Sequence, residues 1–267
     1  MRAFIYFGGM MEVSEHKSHD DKQDISDPSL AQKPSIFPGI LPTIGWIILY
    51  FVLQLVCTTV FIALGAVTEG TQIADSGANR GLAVLWGIVS SAIIQLLLMF
   101  LYLRKDSRFK KIGLDTFGTM PLARTFGLAF FLVVGAMLFN FLYAHYVIPG
   151  IGMQEEMAKM LASIPRTPVN IIAGFFAFAI AAPLVEELLF RGFLQNAFAR
   201  FVPIWAAILL SSFAFALVHL QPYAIPGLMS LSIAFGYLYH RTGSLRANIL
   251  LHILNNTAAL LLTQAVV

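Results

Sequence analysis

Charge is scarce in this sequence, and cysteine is almost absent. Lys, Arg, Asp and Glu make up 12% of the 267 residues, about half the share usual in soluble domains, whereas 58% of residues are hydrophobic and the mean hydropathy is +0.78. The single cysteine, Cys57, excludes an intramolecular disulfide, and we expect it to be a buried, inert thiol. The net charge of +3 comes largely from one loop and gives no reason to expect nucleic-acid binding. This composition predicts a polytopic membrane protein.

The first 36 residues lack the hydrophobic pattern of the rest. Residues 1–11 include an apolar run, but it is too short to span a membrane and no small-residue cleavage site follows, so we predict no secretory signal. Initiation at Met10 or Met11 fits the sequence equally well. Residues 12–34 are polar and acidic without periodicity, and 1–36 are therefore predicted to be a disordered tail in which His16 and His19 are solvated.

Long hydrophobic runs begin at Leu41. A helix needs about 20 apolar residues to cross the hydrocarbon core. A break at Pro183 in the fourth of these runs would add one helix to the count. The sequence predicts an all-α, polytopic transmembrane bundle of about seven or eight helices, with candidate spans at 41–66, 82–103, 125–148, 169–200, 203–220, 225–240 and 246–265.

Loop charges predict the orientation of the bundle. The loop at 104–124 holds six basic and two acidic residues, whereas 68–80 holds two acidic residues and one basic one. By the positive-inside rule the first loop is cytoplasmic, which also places the N-terminus in the cytoplasm. Between the third and fourth spans, 151–162 are predicted to form an interfacial amphipathic helix. Its carboxylate pair, Glu155 and Glu156, lies in a polar loop. Water can solvate both carboxylates there, so we do not expect this pair to form a functional site.

The second half of the sequence keeps very few charged residues. Between 157 and 267 the only acidic residues are Glu186 and Glu187. A charged side chain inside the bilayer costs free energy, so it is expected either to form an ion pair or to take part in the protein's function. Ionisable residues at predicted helix ends reach water, and these are His145, Arg200, His240, Arg241 and Arg246. The residues left at depth are Glu186, Glu187, Arg191, His219 and His252.

The two adjacent glutamates must face different surroundings. Neighbouring helical residues point about 100° apart. Glu187 and Arg191 are four residues apart, with the glutamate first, which is the favourable order for an ion pair. Either partner alone would be an uncompensated charge, so we predict a formed pair. Glu186 is then the carboxylate that is not neutralised.

A histidine is predicted to lie at the same depth as Glu186. If the chain turns near Val202 and Pro203, Glu186 and His219 each lie 16 residues from the turn, about 24 Å away along neighbouring antiparallel helices. A carboxylate facing an imidazole can carry out general acid–base chemistry on a water molecule.

The last span carries a polar stripe, with Asn248, His252 and Asn256 at four-residue steps. Asn248 and Asn255 are expected to be interhelical packing residues. His252 and Asn256 are the better candidates for donors aimed at a developing oxyanion. Counted from a turn near Gly243, His252 is only about 14 Å deep, so a match with Glu186 requires a recessed turn.

Three motifs resemble those of a known family. "EELLFR" holds Glu186, Glu187 and Arg191; "FALVH" holds Phe215 and His219; "HILNN" holds His252 and Asn256. In this order they are similar to the Glu-Glu-x3-Arg, Phe-x3-His and His-x3-Asn/Asp motifs of the CAAX protease and bacteriocin-processing family of intramembrane glutamic endopeptidases. The resemblance covers residues 169–260.

The resemblance implies a catalytic core over 167–267, preceded by N-terminal transmembrane helices over 37–166. It implies that Glu186 is the general base, helped by His219, and that Glu187 and Arg191 form a structural pair. His252 and Asn256 would make the oxyanion hole. It also implies a protein or peptide substrate, membrane lipid as the surroundings of the bundle, and no metal or other cofactor. The expected location is a bacterial plasma membrane.

Three other functions stay open on the sequence. A zinc-dependent metallopeptidase would use two histidines and a glutamate at depth, although no His-Glu-x2-His occurs. A non-catalytic membrane protein, of the bacteriocin-immunity or scaffold type, would use the polar cluster only to pack helices. A transporter would use Glu186 and His219 as a proton relay, but the sequence shows no inverted repeat.

Overall fold

The computed structural model describes residues 38–69, 77–105, 108–148, 159 and 161–266. These ranges contain helices, turns and short connections, and no strand lies within them. The predicted tail, with His16 and His19, lies outside the described residues. So do Glu155, Glu156 and most of the predicted interfacial helix at 151–162. The described residues belong to one compact unit, Ser35–Val267.

Eight helices carry the fold within these ranges. The short α3, between the second and third long helices, is a single turn of helix in the basic loop. The bounds are α1 Ile40–Glu69, α2 Gly77–Leu103, α3 Arg108–Lys111, α4 Leu122–Tyr146, α5 Pro168–Phe198, α6 Ile204–Leu217, α7 Ile225–Thr242 and α8 Leu245–Val266.

The predicted all-helical bundle is confirmed. Each of the seven hydrophobic segments corresponds to one helix, and five of these helices are long and apolar enough to cross a membrane: α1, α2, α4, α5 and α8. The other two are shorter or more polar, since α6 has 14 residues and α7 has 18. The protein is therefore an integral membrane protein.

Helix α5 is continuous from Pro168 to Phe198, and it does not break at Pro183. Two π-helical segments, Phe175–Ala181 and Leu188–Gln195, flank an α-helical stretch, Ala182–Glu187, that contains both glutamates. Pro183 is the second residue of this α-helical stretch, just after the first π segment, where the hydrogen-bond register changes, so its missing N–H is tolerated. At the end of the second segment, the Asn196 amide donates to the carbonyls of Arg191 and Gly192, at 3.2 and 2.9 Å.

Two adjacent polar side chains near the end of α5 bind α7. Gln195 donates to the Gly236 carbonyl at 3.1 Å, and Asn196 donates to the Tyr239 hydroxyl at 3.0 Å. A Cβ on Gly236 would come within 2.8 Å of the Gln195 side-chain oxygen, so the contact needs glycine. These bonds fix the register of α5 against α7 around the charged residues.

The turn between α7 and α8 is covered by the basic loop. Gly243 ends α7 in the left-handed conformation, with φ at 66°. The Leu245 N–H donates to the Gly113 carbonyl at 3.0 Å, and the Ser244 hydroxyl donates to the Thr116 carbonyl at 2.6 Å. A Cβ on Gly113 would collide with the Gly243 carbonyl. The loop thus packs over this turn, which sets the start of α8 inside the fold.

The backbone of α1 comes into close contact with α2 at a glycine, Gly87. A Cβ on Gly87 would collide with the Thr58 hydroxyl and come within 2.8 Å of the Thr58 backbone. Small residues permit such close packing of membrane helices.

We expect Gly87→Ala to destabilise the protein by about 1–3 kcal/mol, because the α1 backbone must move to admit the methyl group. The measurement is thermal unfolding of the purified protein in detergent. Gly135→Ala is the matched control, since a Cβ at this helical glycine meets nothing within 4 Å. Equal melting temperatures for the two variants would contradict this packing account.

Candidate active site

Glu187 lies at the centre of a fully buried polar cluster. Its side chain has 0% exposure, and its Oε1 lies 2.9 Å from Arg191 Nη1, which confirms the ion pair predicted from their spacing. Helix α8 supplies two further contacts, because His252 Nδ1 lies 2.9 Å from Oε1 and the Asn248 amide donates to Oε2 at 3.2 Å. Three side chains therefore hold this carboxylate.

Arg191 contacts side chains from α5, α6 and α7. Its Nη2 donates to the Ser232 hydroxyl at 2.8 Å and to the Ser232 carbonyl at 3.1 Å. The guanidinium carbon lies 5.0 Å from the ring centre of Phe215 and 5.4 Å from that of Phe235. Cation–π contacts are strongest when the cation is desolvated, and Arg191 is 1% exposed. The motif phenylalanine therefore packs on the motif arginine.

Glu186 has different surroundings. Its side chain is 19% exposed, and its Oε2 lies 3.6 Å from His252 Nε2. Within the described residues no arginine or lysine forms an ion pair with it. The imidazole of His252 thus lies between the two glutamates, with Nδ1 at Glu187 and Nε2 at Glu186. A carboxylate on Nδ1 fixes the orientation of the ring and determines what Nε2 presents to Glu186.

His219 lies in the turn just after α6, and it is half-buried. Its Nδ1 lies 2.8 Å from the Phe215 carbonyl, which leaves Nε2 for other partners. The Phe215 ring centre lies 4.8 Å from the His219 ring and 6.3 Å from the His252 ring. Within the described ranges no hydrogen bond or ion pair joins His219 to either glutamate, so its role beside Glu186 stays a prediction.

Asn256 lies one turn beyond His252. Its amide donates to the Phe178 carbonyl in the first π segment of α5 at 3.1 Å, and its oxygen accepts from Asn255 at 3.2 Å. One amide hydrogen of Asn256 is left for another acceptor. Its role in an oxyanion hole also stays a prediction.

The structure thus brings together four of the six predicted residues, Glu186, Glu187, Arg191 and His252, and places His219 and Asn256 at the edge of the cluster. It adds Ser232 and Phe235 from α7, which the sequence analysis did not single out. It also places Asn248, assigned above to packing, on the Glu187 carboxylate and on the Phe235 carbonyl at 2.6 Å. The four-residue stripe on α8 was the signal for Asn248.

The depth of His252 is explained by the covered turn. The basic loop packs outside the α7–α8 turn, so the helix starts deeper than a surface turn would allow, and a residue seven positions along α8 reaches the glutamates. Within the described residues, no group of three or more His, Cys, Asp or Glu side chains is arranged to hold a metal ion.

Comparison with known proteins links this cluster to peptidases. The family model described as type II CAAX prenyl endopeptidase Rce1-like matches residues 168–258, from the start of α5 into α8. The UPF0177 protein YaiH of Lactococcus lactis subsp. lactis (strain IL1403) is 30% identical over 186 residues, which cover 67% of this chain and 73% of that protein. No solved structure matches the chain.

Two further relatives match shorter stretches. The UPF0177 protein YaiF of the same strain is 40% identical over 84 residues, 31% of this chain and 37% of that protein. A Bacillus subtilis (strain 168) protein named "Putative membrane peptidase YdiL" is 29% identical over 113 residues, 42% of this chain and 45% of that protein. The chain therefore spans less than half the length of these two relatives.

The helical bundle, its buried charged cluster and these matches define a membrane peptidase. The chain belongs to the CAAX protease and bacteriocin-processing family. The family match begins at α5 and leaves α1, α2 and α4 outside it.

Asn248 offers a test of this cluster. We expect Asn248→Leu to lower the free energy of unfolding by about 1–3 kcal/mol, because Glu187 and the Phe235 carbonyl each lose a buried donor. Thermal unfolding in detergent measures the effect. Asn255→Leu is the matched control on the same helix, since Asn255 is only partly buried and, within the described residues, its amide donates one hydrogen bond, to Asn256. An Asn248→Leu variant as stable as wild type would contradict the assignment.

Proposed function

We propose that the protein is an intramembrane endopeptidase in which Glu186 activates the water that attacks a peptide bond. One observation supports this most strongly. Of two adjacent carboxylates, Glu187 is fully buried and contacts three side chains, whereas Glu186 is partly exposed and, among the described residues, its one ion-pair contact is with His252 Nε2 at 3.6 Å. A carboxylate without a lysine or arginine partner in an apolar bundle costs free energy. A catalytic role for Glu186 would explain why the protein has this residue.

In the proposed reaction, Glu186 takes a proton from water as the water oxygen bonds to the peptide carbonyl carbon. The carbonyl oxygen becomes an oxyanion, and the proton on Glu186 then passes to the peptide nitrogen as the carbon–nitrogen bond breaks. The products are a new carboxyl terminus and a new amino terminus. General acid–base help of this kind is worth about 10²–10⁴-fold in rate.

Two histidines would have different tasks in this reaction. His252, with Nδ1–H donated to Glu187, would present Nε2–H to the oxyanion when both ring nitrogens carry protons, and the free amide hydrogen of Asn256 would assist it. His219 would orient the attacking water beside Glu186 through its free Nε2. Glu187 and Arg191 would keep this arrangement in place without touching the substrate.

We also propose that the substrate is a protein or peptide that reaches the site from the lipid, in a bacterial plasma membrane. The relatives that match this chain are bacterial proteins, and one of them is named as a membrane peptidase. The family model that matches α5 to α8 is named for a CAAX prenyl endopeptidase.

The orientation proposed from the loops gains support from the fold. The start of α1, the basic loop and the α5–α6 and α7–α8 turns lie at one end of the bundle, where Arg200 donates to the Pro38 carbonyl at 3.4 Å and Arg246 donates to the Leu114 carbonyl at 3.0 Å. Among the described residues that end has one acidic residue, Asp115, and nine basic ones: Arg104, Lys105, Arg108, Lys110, Lys111, Arg124, Arg200, Arg241 and Arg246. The excess of basic residues favours a cytoplasmic location for this end.

Cysteine labelling in intact cells tests the orientation, and the chain is suited to it because Cys57 is its only cysteine. In a Cys57→Ser background, a membrane-impermeant maleimide should label Arg166→Cys from outside the cell and Lys111→Cys only after lysis. Both residues are exposed, and they lie at opposite ends of the bundle. The reverse pattern would overturn the orientation.

The proposed activity is tested by profiling new protein termini in cells that express wild type or Glu186→Gln at matched membrane levels. We expect cleavage products that appear with wild type and are lost with Glu186→Gln, His219→Ala and His252→Ala. His240→Ala, at the end of α7, is the control that should retain the products. Wild-type and Glu186→Gln profiles that do not differ would contradict a peptidase that depends on Glu186, and loss of the products with chelators would favour a metallopeptidase.

A further inference from the structure

The end of the first π segment in α5 leaves one backbone carbonyl without its helical donor. In a π-helix each N–H donates to the carbonyl five residues earlier, and the Ala182 N–H donates in this way to Ala177. The next N–H in this register would come from residue 183 and would go to the Phe178 carbonyl. Residue 183 is proline, which has no N–H. The Phe178 carbonyl therefore receives neither of the two N–H groups, from 182 and 183, that would follow it in an α-helix or a π-helix.

Asn256 of α8 supplies the missing donor. Its amide donates to the Phe178 carbonyl at 3.1 Å. Lipid offers no hydrogen bond, so a backbone carbonyl without a helical partner in a membrane bundle needs a donor from the protein. The bond thus compensates for the N–H that Pro183 lacks.

This bond also determines how the Asn256 side chain is oriented. One amide hydrogen goes to Phe178, and the side-chain oxygen accepts from the Asn255 amide at 3.2 Å. An amide group is planar, so two fixed bonds also fix the direction of its second hydrogen. That hydrogen is the one assigned above to the oxyanion.

Helix α5 carries both Pro183 and the proposed general base. Pro183 is buried and lies three residues before Glu186, in the same α-helical stretch, Ala182–Glu187. On α8, Asn256 lies one turn beyond His252, whose Nε2 is 3.6 Å from Glu186 Oε2. The end of the π segment therefore ties the orientation of Asn256 to the helix that holds the carboxylate.

We propose that Pro183 is a positioning residue for Asn256. Because it withholds an N–H from the Phe178 carbonyl, it reserves this carbonyl for the Asn256 amide and so aims the second amide hydrogen at the oxyanion. Pro183 touches no reacting atom and acts only through Asn256. The inference rests on the proposed oxyanion role of Asn256, but the hydrogen-bond coupling can be tested without a substrate.

The coupling is tested by a double-mutant cycle of thermal unfolding on the full-length protein in detergent. Asn256→Ala should lower the melting temperature by several degrees, because the Phe178 carbonyl loses its donor. In a Pro183→Ala background it should lower it by at most about half as much, since residue 183 now has an N–H for this carbonyl. Pro183→Ser restores the same N–H and should behave in the same way. Equal losses in the wild-type and substituted backgrounds would refute the coupling.

Thr257→Ala is the matched control. Thr257 is the next residue of α8 and is partly buried, and within the described residues no hydrogen bond joins it to α5. Its effect on the melting temperature should be the same in both backgrounds. A background dependence as large as that of Asn256→Ala would also refute the coupling, because the effect would then not be specific to the Phe178 carbonyl.

Cleavage separates positioning from a purely structural role. Alanine suits a helix, so Pro183→Ala should melt close to wild type or above it, yet its cleavage products should fall about tenfold at matched membrane levels. Wild-type product levels in Pro183→Ala would refute the positioning role even if the unfolding cycle shows coupling. Cleavage that survives Glu186→Gln would refute the proposed function instead, whatever the unfolding cycle shows.

Discussion

The buried ion pair between Glu187 and Arg191 is the interaction on which the rest of the site depends. In an apolar bundle neither charge is tolerable alone, and breaking such a pair costs about 3–5 kcal/mol. The pair is therefore surrounded by groups that satisfy it: Ser232 on the arginine, Asn248 and His252 on the glutamate, and two phenylalanine rings on the guanidinium. These groups come from α5, α6, α7 and α8, so one ion pair fixes four helices against each other.

The same pair explains why two neighbouring glutamates can differ. Glu187 binds His252 through Nδ1 and so turns Nε2 toward Glu186. The two glutamates lie between two π-helical segments of α5, which stays continuous. In each segment an asparagine amide donates to a backbone carbonyl: Asn196 of α5 to Arg191, and Asn256 of α8 to Phe178. The fold thus gives the Glu187 carboxylate ionic and hydrogen-bond partners and leaves the Glu186 carboxylate available for the reaction.

Local patterns predicted much of this arrangement. The apolar runs predicted the helices, because a membrane-spanning helix is defined by the length and composition of its own segment. The four-residue spacing of Glu187 and Arg191 predicted the ion pair. The position of His252 between the two glutamates could not be predicted, since it depends on a basic loop that packs over the α7–α8 turn. The continuity of α5 through Pro183 depends on a π segment that no spacing rule indicates.

In this protein, we propose, Glu187 stabilises the fold and Glu186 takes part in the reaction. Thermal unfolding of wild type, Glu186→Gln and Glu187→Gln, purified in the same lipid environment, tests it most directly, because glutamine removes the charge and keeps the shape. We expect Glu187→Gln to melt several degrees below wild type, since Arg191 is left uncompensated, and Glu186→Gln to melt at or above wild type. Equal melting temperatures for Glu187→Gln and wild type, or a large loss in Glu186→Gln, would contradict it.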